Sequence, residues 1–132
     1  MRINQKEIEI ILSLYPIAKT RHVELQEVLV KTQSAELKAE IMEKDDFYTK
    51  VIKTVDEWTN CLTQEELILI DYRYFRGYNY QIIANETNYS NHSSVLKIIK
   101  KIIKKNRKKF ILILLMIGNR IQIVYQEQLL YN

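Results

Sequence analysis

Five lysines, Lys97, Lys100, Lys101, Lys104 and Lys105, recur at spacings of one, three and four in a stretch with no Asp or Glu from Ser90 to Gln126. Placed around an ideal helix at 100° per residue from Val95, they fill an arc of about 140° to 280°. Val95, Leu96, Ile98, Ile99, Ile102 and Ile103 fill the complementary arc, about 300° to 100°. One face must be buried, and the other carries five charges of one sign. Such a face repels itself through like charges four residues apart, by a few tenths of a kcal/mol per pair. A helix that needed only solvation would intersperse Glu. The chemistry offered is therefore neutralisation of an external anion, and a polyanion such as a nucleic-acid backbone fits a whole row of cations. Asn91, His92, Ser93 and Ser94 precede this row and supply hydrogen-bonding groups at the helix start.

Other chemistry is poorly provided for. There is no nucleophile elbow, P-loop, CxxC or HExxH, and Asp45-Asp46 reads as a pair of helix-start acids, so no enzymatic activity is expected. His22 and His92 stand 70 residues apart and Cys61 is the single cysteine, which leaves no metal-ligand spacing; no cofactor is expected. Cys61, flanked by Trp58 and Leu62, reads as a core thiol in a reducing compartment.

The elements that must position the lysines are marked by their caps. Thr63-Gln64-Glu65-Glu66 is a capping box, so a helix should start at Gln64, with Leu67, Ile68, Ile70 and Tyr74 inward and Arg73 and Arg76 outward. Gly77 should end it by taking a positive φ. Asn79 then caps a short helix, Tyr80–Thr87, which carries Ile83-Ala84. Asn88 suits a left-handed turn, and Ser90 or Asn91 caps the lysine helix. Upstream, Ile8, Ile11, Leu12 and Tyr15 predict a helix stopped by Pro16. Leu25, Val28, Leu29, Leu37 and Ile41 predict a second helical region over 17–44, with Gln33-Ser34 as a break and new cap. After Asp45-Asp46, the residues Phe47, Tyr48, Val51, Ile52, Val55 and Trp58 predict a core-facing helix. Downstream, Phe110–Ile117 reads as helix or strand, and Gly118-Asn119 followed by Ile121–Tyr125 as a hairpin. This apolar segment must pack on the N-terminal helices or on another copy of the chain.

The 132 residues are 47% hydrophobic with two Gly and one Pro, enough for a core and against long linkers or low-complexity classes. Net charge is +4 overall, but residues 1–66 carry −4 and residues 67–132 carry +8. Only the second half has a nucleic-acid-like balance. The N-terminus lacks a signal-peptide pattern, and the longest apolar run, Phe110–Ile117, is far below the roughly 20 residues of a membrane span. A cytoplasmic protein with no membrane partner is expected.

Leu62-Thr63-x-Glu65, Ile70-x-x-Arg73-Tyr74-Phe75-x-Gly77, Ile83-Ala84 and Ser90 resemble the region-4 helix-turn-helix of sigma-70-type factors. With a Trp-containing helix running into it behind a helical N-terminus, the arrangement is similar to phage and prophage late transcription regulators of the ArpU and RinA type. Two positions depart from that pattern. Ile82 stands where an acid is usual, and Ser94 stands where a buried aliphatic is usual, with Val95 one residue later. The register of groove-facing residues is thus open by one position. The resemblance implies a mainly α protein with a helical N-terminal region (1–57), a DNA-binding domain (58–109) and an apolar C-terminal tail (110–132).

It also implies a DNA-binding transcription activator of a bacteriophage or mobile element, in a bacterial host cell. In a helix-turn-helix the second helix enters the major groove while the first crosses the backbone. Asn91, His92, Ser93, Ser94 and Lys97 are then the groove candidates. Lys100, Lys101, Lys104 and Lys105, with Arg107, Lys108 and Lys109, are phosphate ligands, joined by Tyr80 and Gln81 at the start of the crossing helix. The acidic half would serve self-association as a homodimer, through the N-terminal helices or the tail, or contact with RNA polymerase. The alternatives are a small terminase-like packaging or assembly protein, and a protein-binding module that uses the lysine face.

Overall fold

In the computed structural model, which describes residues 3–117, the chain is mainly helical, with six α-helices and no strand among the described residues. They are α1 (Gln5–Lys31), α2 (Ala35–Thr59), α3 (Gln64–Ile70), α4 (Tyr80–Glu86), α5 (His92–Lys105) and α6 (Arg107–Ile117). A π-helical turn, Asp71–Phe75, extends α3. The segment Phe110–Ile117 is therefore helical; the Gly118–Tyr125 hairpin lies outside the described residues.

Long helices α1 and α2 form an antiparallel hairpin. Asn4 caps the first, its side chain accepting from the Glu7 amide, and Ser34 caps the second by accepting from the Leu37 amide, as the Gln33-Ser34 break predicts. Pro16 does not stop α1. It removes a backbone donor at a cost of about 3 kcal/mol. Yet Leu12, Leu14 and Ala18 are buried on either side, and packing on both flanks outweighs the lost bond. Asp45 and Asp46 likewise sit inside α2 instead of starting a new helix. Asp45 is buried, its carboxylate 2.7 Å from His22 Nδ1 and accepting from Gln26 Nε2 at 2.8 Å. Asp46 pairs with Lys50 at 3.0 Å.

One continuous apolar cluster draws on all six α-helices: Ile8, Leu12, Val55, Trp58, Ile70, Ile83, Val95, Ile99, Ile103 and Phe110 are essentially inaccessible. Trp58 ties α2 to the junction of α5 and α6. Its indole meets the Phe110 ring edge-on at 5.5 Å, and its Nε1–H donates to the Asn106 carbonyl at 3.0 Å. Asn106 itself is buried and ends α5, its side-chain and backbone N–H groups both donating to the Ile102 carbonyl. Arg107 Nε then donates to the Ile3 carbonyl at 2.7 Å, tying the start of α6 to the chain's N-terminal segment.

Four further expectations are corrected. Leu69 is buried in α3 and Ile68 is 40% exposed, since continuing into a π turn changes which residues of α3 face the core. Cys61 is exposed, at the turn that follows α2, where its Sγ lies 3.7 Å from the Glu57 carbonyl. No non-glycine residue among those described has a positive φ, so Asn88 makes its turn without the left-handed region. Arg73 turns inward; its guanidinium lies 4.1 Å from the Tyr80 ring centroid and donates to the Tyr78 carbonyl.

Candidate nucleic-acid interface

The platform is built from α3 to α5. The Thr63–Glu66 capping box is complete: the Glu66 amide donates to Thr63 Oγ1 at 3.2 Å, and the Thr63 amide donates to Glu66 Oε1 at 2.9 Å. Gly77, at φ +72°, reverses the chain after the π turn, and the Tyr78 amide closes that reversal by donating to the Tyr72 carbonyl. Asn79 then caps α4 by accepting from the Ile82 amide at 2.8 Å. The Tyr72 and Tyr78 rings stack at 5.4 Å, with the Arg76 guanidinium 5.2 Å from the Tyr72 centroid. On α4, Ile83 and Ala84 are buried and Ile82 is exposed, so this helix packs by one face only.

The register of α5 follows from its cap. Asn91 Oδ1 accepts from the Ser94 amide at 3.0 Å and from the Ser94 hydroxyl at 3.3 Å, which makes Asn91, and not Ser90, the cap. Val95 is then the first buried position, followed by Ile99, Ile102 and Ile103. Burial of these four contributes about 1.5–3 kcal/mol each. The same register turns Lys97, Lys100, Lys101, Lys104 and Lys105 to solvent, as the angular placement predicts.

Four of these lysines, Lys97, Lys100, Lys101 and Lys104, make no ion pair with any described residue. Lys105 does: its Nζ lies 3.0 Å from Glu66 Oε2. Partial burial alone would raise the Glu66 pKa, but the Thr63 amide and Lys105 outweigh it and hold the carboxyl below the usual value of 4.5. Lys105 is thus an internal strut between α5 and the start of α3 as well as an exposed cation.

The remaining candidates divide. His92 and Ser93 are exposed at the start of α5, beside the lysine row. Asn91 and Ser94 spend hydrogen-bonding groups on the cap; a bidentate contact of Asn91 with a base would have to displace the Ser94 hydroxyl. Gln81 is exposed and donates to Asn85 Oδ1 at 3.1 Å. Tyr80 is half-buried against the core with Arg73 over its ring, which limits it to contacts through its edge and hydroxyl. Lys108 and Lys109 are exposed, but on α6; Arg107 is held by the Ile3 carbonyl.

The break at Asn106 takes the last three basic residues off the lysine helix. Its signal lies in the sequence: Asn is a poor helix-interior residue, and here it stands between two apolar-patterned stretches. Sequence reasoning missed the Arg73–Tyr80 stack, for which no spacing rule exists across a turn. Among the described residues no group of three or more His, Cys, Asp or Glu side chains could hold a metal ion. No helix of the described residues is long and apolar enough to cross a membrane. Comparison with models of protein families, with curated proteins and with solved structures finds no match to this chain.

Proposed function

We propose that the protein binds duplex DNA sequence-specifically, with α5 in the major groove and α4 across the backbone, and that it acts as a transcription regulator of the phage late-activator kind. The observation that carries this reading is the solvent face of α5: four exposed lysines without a counter-charge among the described residues, held by a helix whose opposite face is locked into the core. The rigid core matters because groove reading needs the helix held as one body, while the lysines remain long and mobile enough to follow phosphates.

Lys97 stands nearest the start of α5, with His92 and Ser93, and is the residue best placed to reach base edges. Lysine donates to guanine O6 and N7, whereas serine discriminates little. Lys100, Lys101 and Lys104 continue the face and would neutralise phosphates. With so few direct readers, sequence-dependent DNA shape must carry part of the specificity. The regulatory role rests on the likeness of the Leu62–Ser90 motifs to sigma region 4.

The test is a variant in which Lys97, Lys100, Lys101 and Lys104 are replaced by Gln, compared with one in which Lys19, Lys31, Lys38 and Lys44 are so replaced. Both lose four charges. The first is expected to lose duplex affinity by at least about a hundredfold at moderate salt, and the second to change it only slightly. Equal losses would mean that net charge, not the α5 face, attracts the DNA.

A further inference from the structure

A cleft of about 530 Å³ opens between α3 and the turn that joins α4 to α5. One wall is a helical stripe at i, i+3, i+4 and i+7, formed by Glu65, Ile68, Leu69 and Tyr72. The other carries Glu86, the last residue of α4, and Tyr89 from the turn. Leu69 is buried and Ile68 is 40% exposed, so apolar surface runs through the cleft from the core out to solvent. A space of this size takes a small ligand or a few side chains.

The charges of the cleft are opposite to those around it. Between residues 67 and 117 the only acids are Asp71 and Glu86. Asp71 is matched by Arg76 at 3.1 Å, whose guanidinium also lies 5.2 Å from the Tyr72 ring centroid. Glu86 and Glu65 make no ion pair with any described residue. Glu65 stands in the first turn of α3, where a carboxylate suits the helix macrodipole. Glu86 has the reverse placement: at the C-terminal end of α4 the dipole disfavours it, and no cation of the described residues compensates. Its charge serves no contact within the fold described, which points to a cation supplied from elsewhere. Arginine is the cation that this chain already sets on tyrosine, at Arg73 with Tyr80 and Arg76 with Tyr72. Among the described residues no cation lies over the Tyr89 ring.

We propose that the cleft docks a partner protein by taking an arginine flanked by apolar side chains, the guanidinium met by Glu65, Glu86 and the Tyr89 ring and the apolar neighbours by Ile68 and Leu69. A guanidinium joins a planar face that stacks on an aromatic ring to a fork that meets carboxylates. Both carboxylates are exposed, and ion pairs so placed add little by themselves, so a free amine gains little here. An arginine borne on an apolar segment also covers Ile68. The same carboxylates repel a polyanion, so this cleft and the lysine face of α5 select partners of opposite charge. No step of this requires DNA, and the test is made without it.

The probe is acetyl-leucyl-arginyl-leucine amide, compared with the same peptide carrying citrulline, which has the shape without the charge, and with arginine amide, which has the charge without the apolar neighbours. Titrations of the full chain are followed at the Ile68 methyl and Tyr89 ring resonances. The arginine peptide is expected to saturate them in the millimolar range, at least about fivefold more tightly than either comparison compound. Glu65→Gln combined with Glu86→Gln should weaken it at least about fivefold, while Glu36→Gln combined with Glu43→Gln, the same loss of charge on α2, should leave it unchanged. No saturation up to about 20 mM, equal binding of the citrulline peptide, or equal effects of the two double variants overturns the proposal. Arginine amide binding as tightly as the peptide would make this a site for a free cation and also overturns it. So does a probe affinity that falls as protein concentration rises, or that tightens in Arg120→Gln, since the cleft would then be filled by cations of this chain itself.

Discussion

Lys97 and Lys104 lie on the same face of α5, about 10 Å apart along its axis at 1.5 Å per residue, and their surroundings separate their roles. Lys97 stands beside exposed His92 and Ser93 at the helix start, where a groove-bound helix meets base edges; Lys104 sits in the last turn, just before Asn106 closes the helix. Replacing Lys104 with Ala should weaken binding to all duplexes alike, by about 1 kcal/mol. Replacing Lys97 with Ala should cost about 1–3 kcal/mol on the preferred site and less on random duplex. Competition titrations against random DNA read the difference, and identical losses on both duplexes would remove Lys97 from the reading surface. Lys105 is a third case. Since it holds Glu66, its replacement should lower stability as well as affinity.

At the scale of elements, the capping box at the start of α3 makes the platform pH-sensitive. The Glu66 carboxylate accepts from the Thr63 amide and pairs with Lys105, and its folded-state pKa lies below the unfolded one. A depressed carboxyl contributes stability that is fully present above the unfolded value and is lost as pH falls through the folded value. The Glu66 carboxyl resonance should therefore titrate below 4.5. In Glu66→Gln, which cannot ionise, the acid-induced loss of stability should be shallower. An ordinary titration midpoint would show that the Thr63 amide and Lys105 do not hold the carboxylate in solution.

These local signals were the most legible part of the chain: Asn79, Thr63 with Glu66, Ser34 and Gly77 each sit where their chemistry requires, because a cap is decided within four residues. What escaped reading was decided by distant partners. Pro16 stays helical because packing surrounds it, Asp45 lies within α2 because His22 and Gln26 meet it from α1, and Arg73 turns inward because Tyr80 returns beneath it across the Gly77 turn. None of those partners is visible within one turn of sequence. For the candidate site, the exposed lysine face was readable from periodicity, whereas the loss of Arg107 to Ile3 and of Lys105 to Glu66 was not.

At the scale of the whole molecule, acidic and basic halves share one core yet present different surfaces. The core runs from Ile3 to Leu114 and holds α5 by its apolar face, with Trp58 and Asn106 locking its C-terminal end. The basic half is thereby left with a rigid cationic surface, and the acidic half contributes the long α1–α2 hairpin. If α5 meets DNA through its lysines, association must release counter-ions in proportion to the phosphates neutralised. The most direct measurement is a fluorescence-anisotropy titration of a labelled duplex at 50 mM and 200 mM salt. Three phosphate contacts, by Lys100, Lys101 and Lys104, correspond to a slope of log affinity against log salt of about −2.7, hence a loss of roughly fortyfold between those two conditions. Absence of binding at the lower salt, or an affinity that does not change with salt, would contradict the assignment of α5 to DNA.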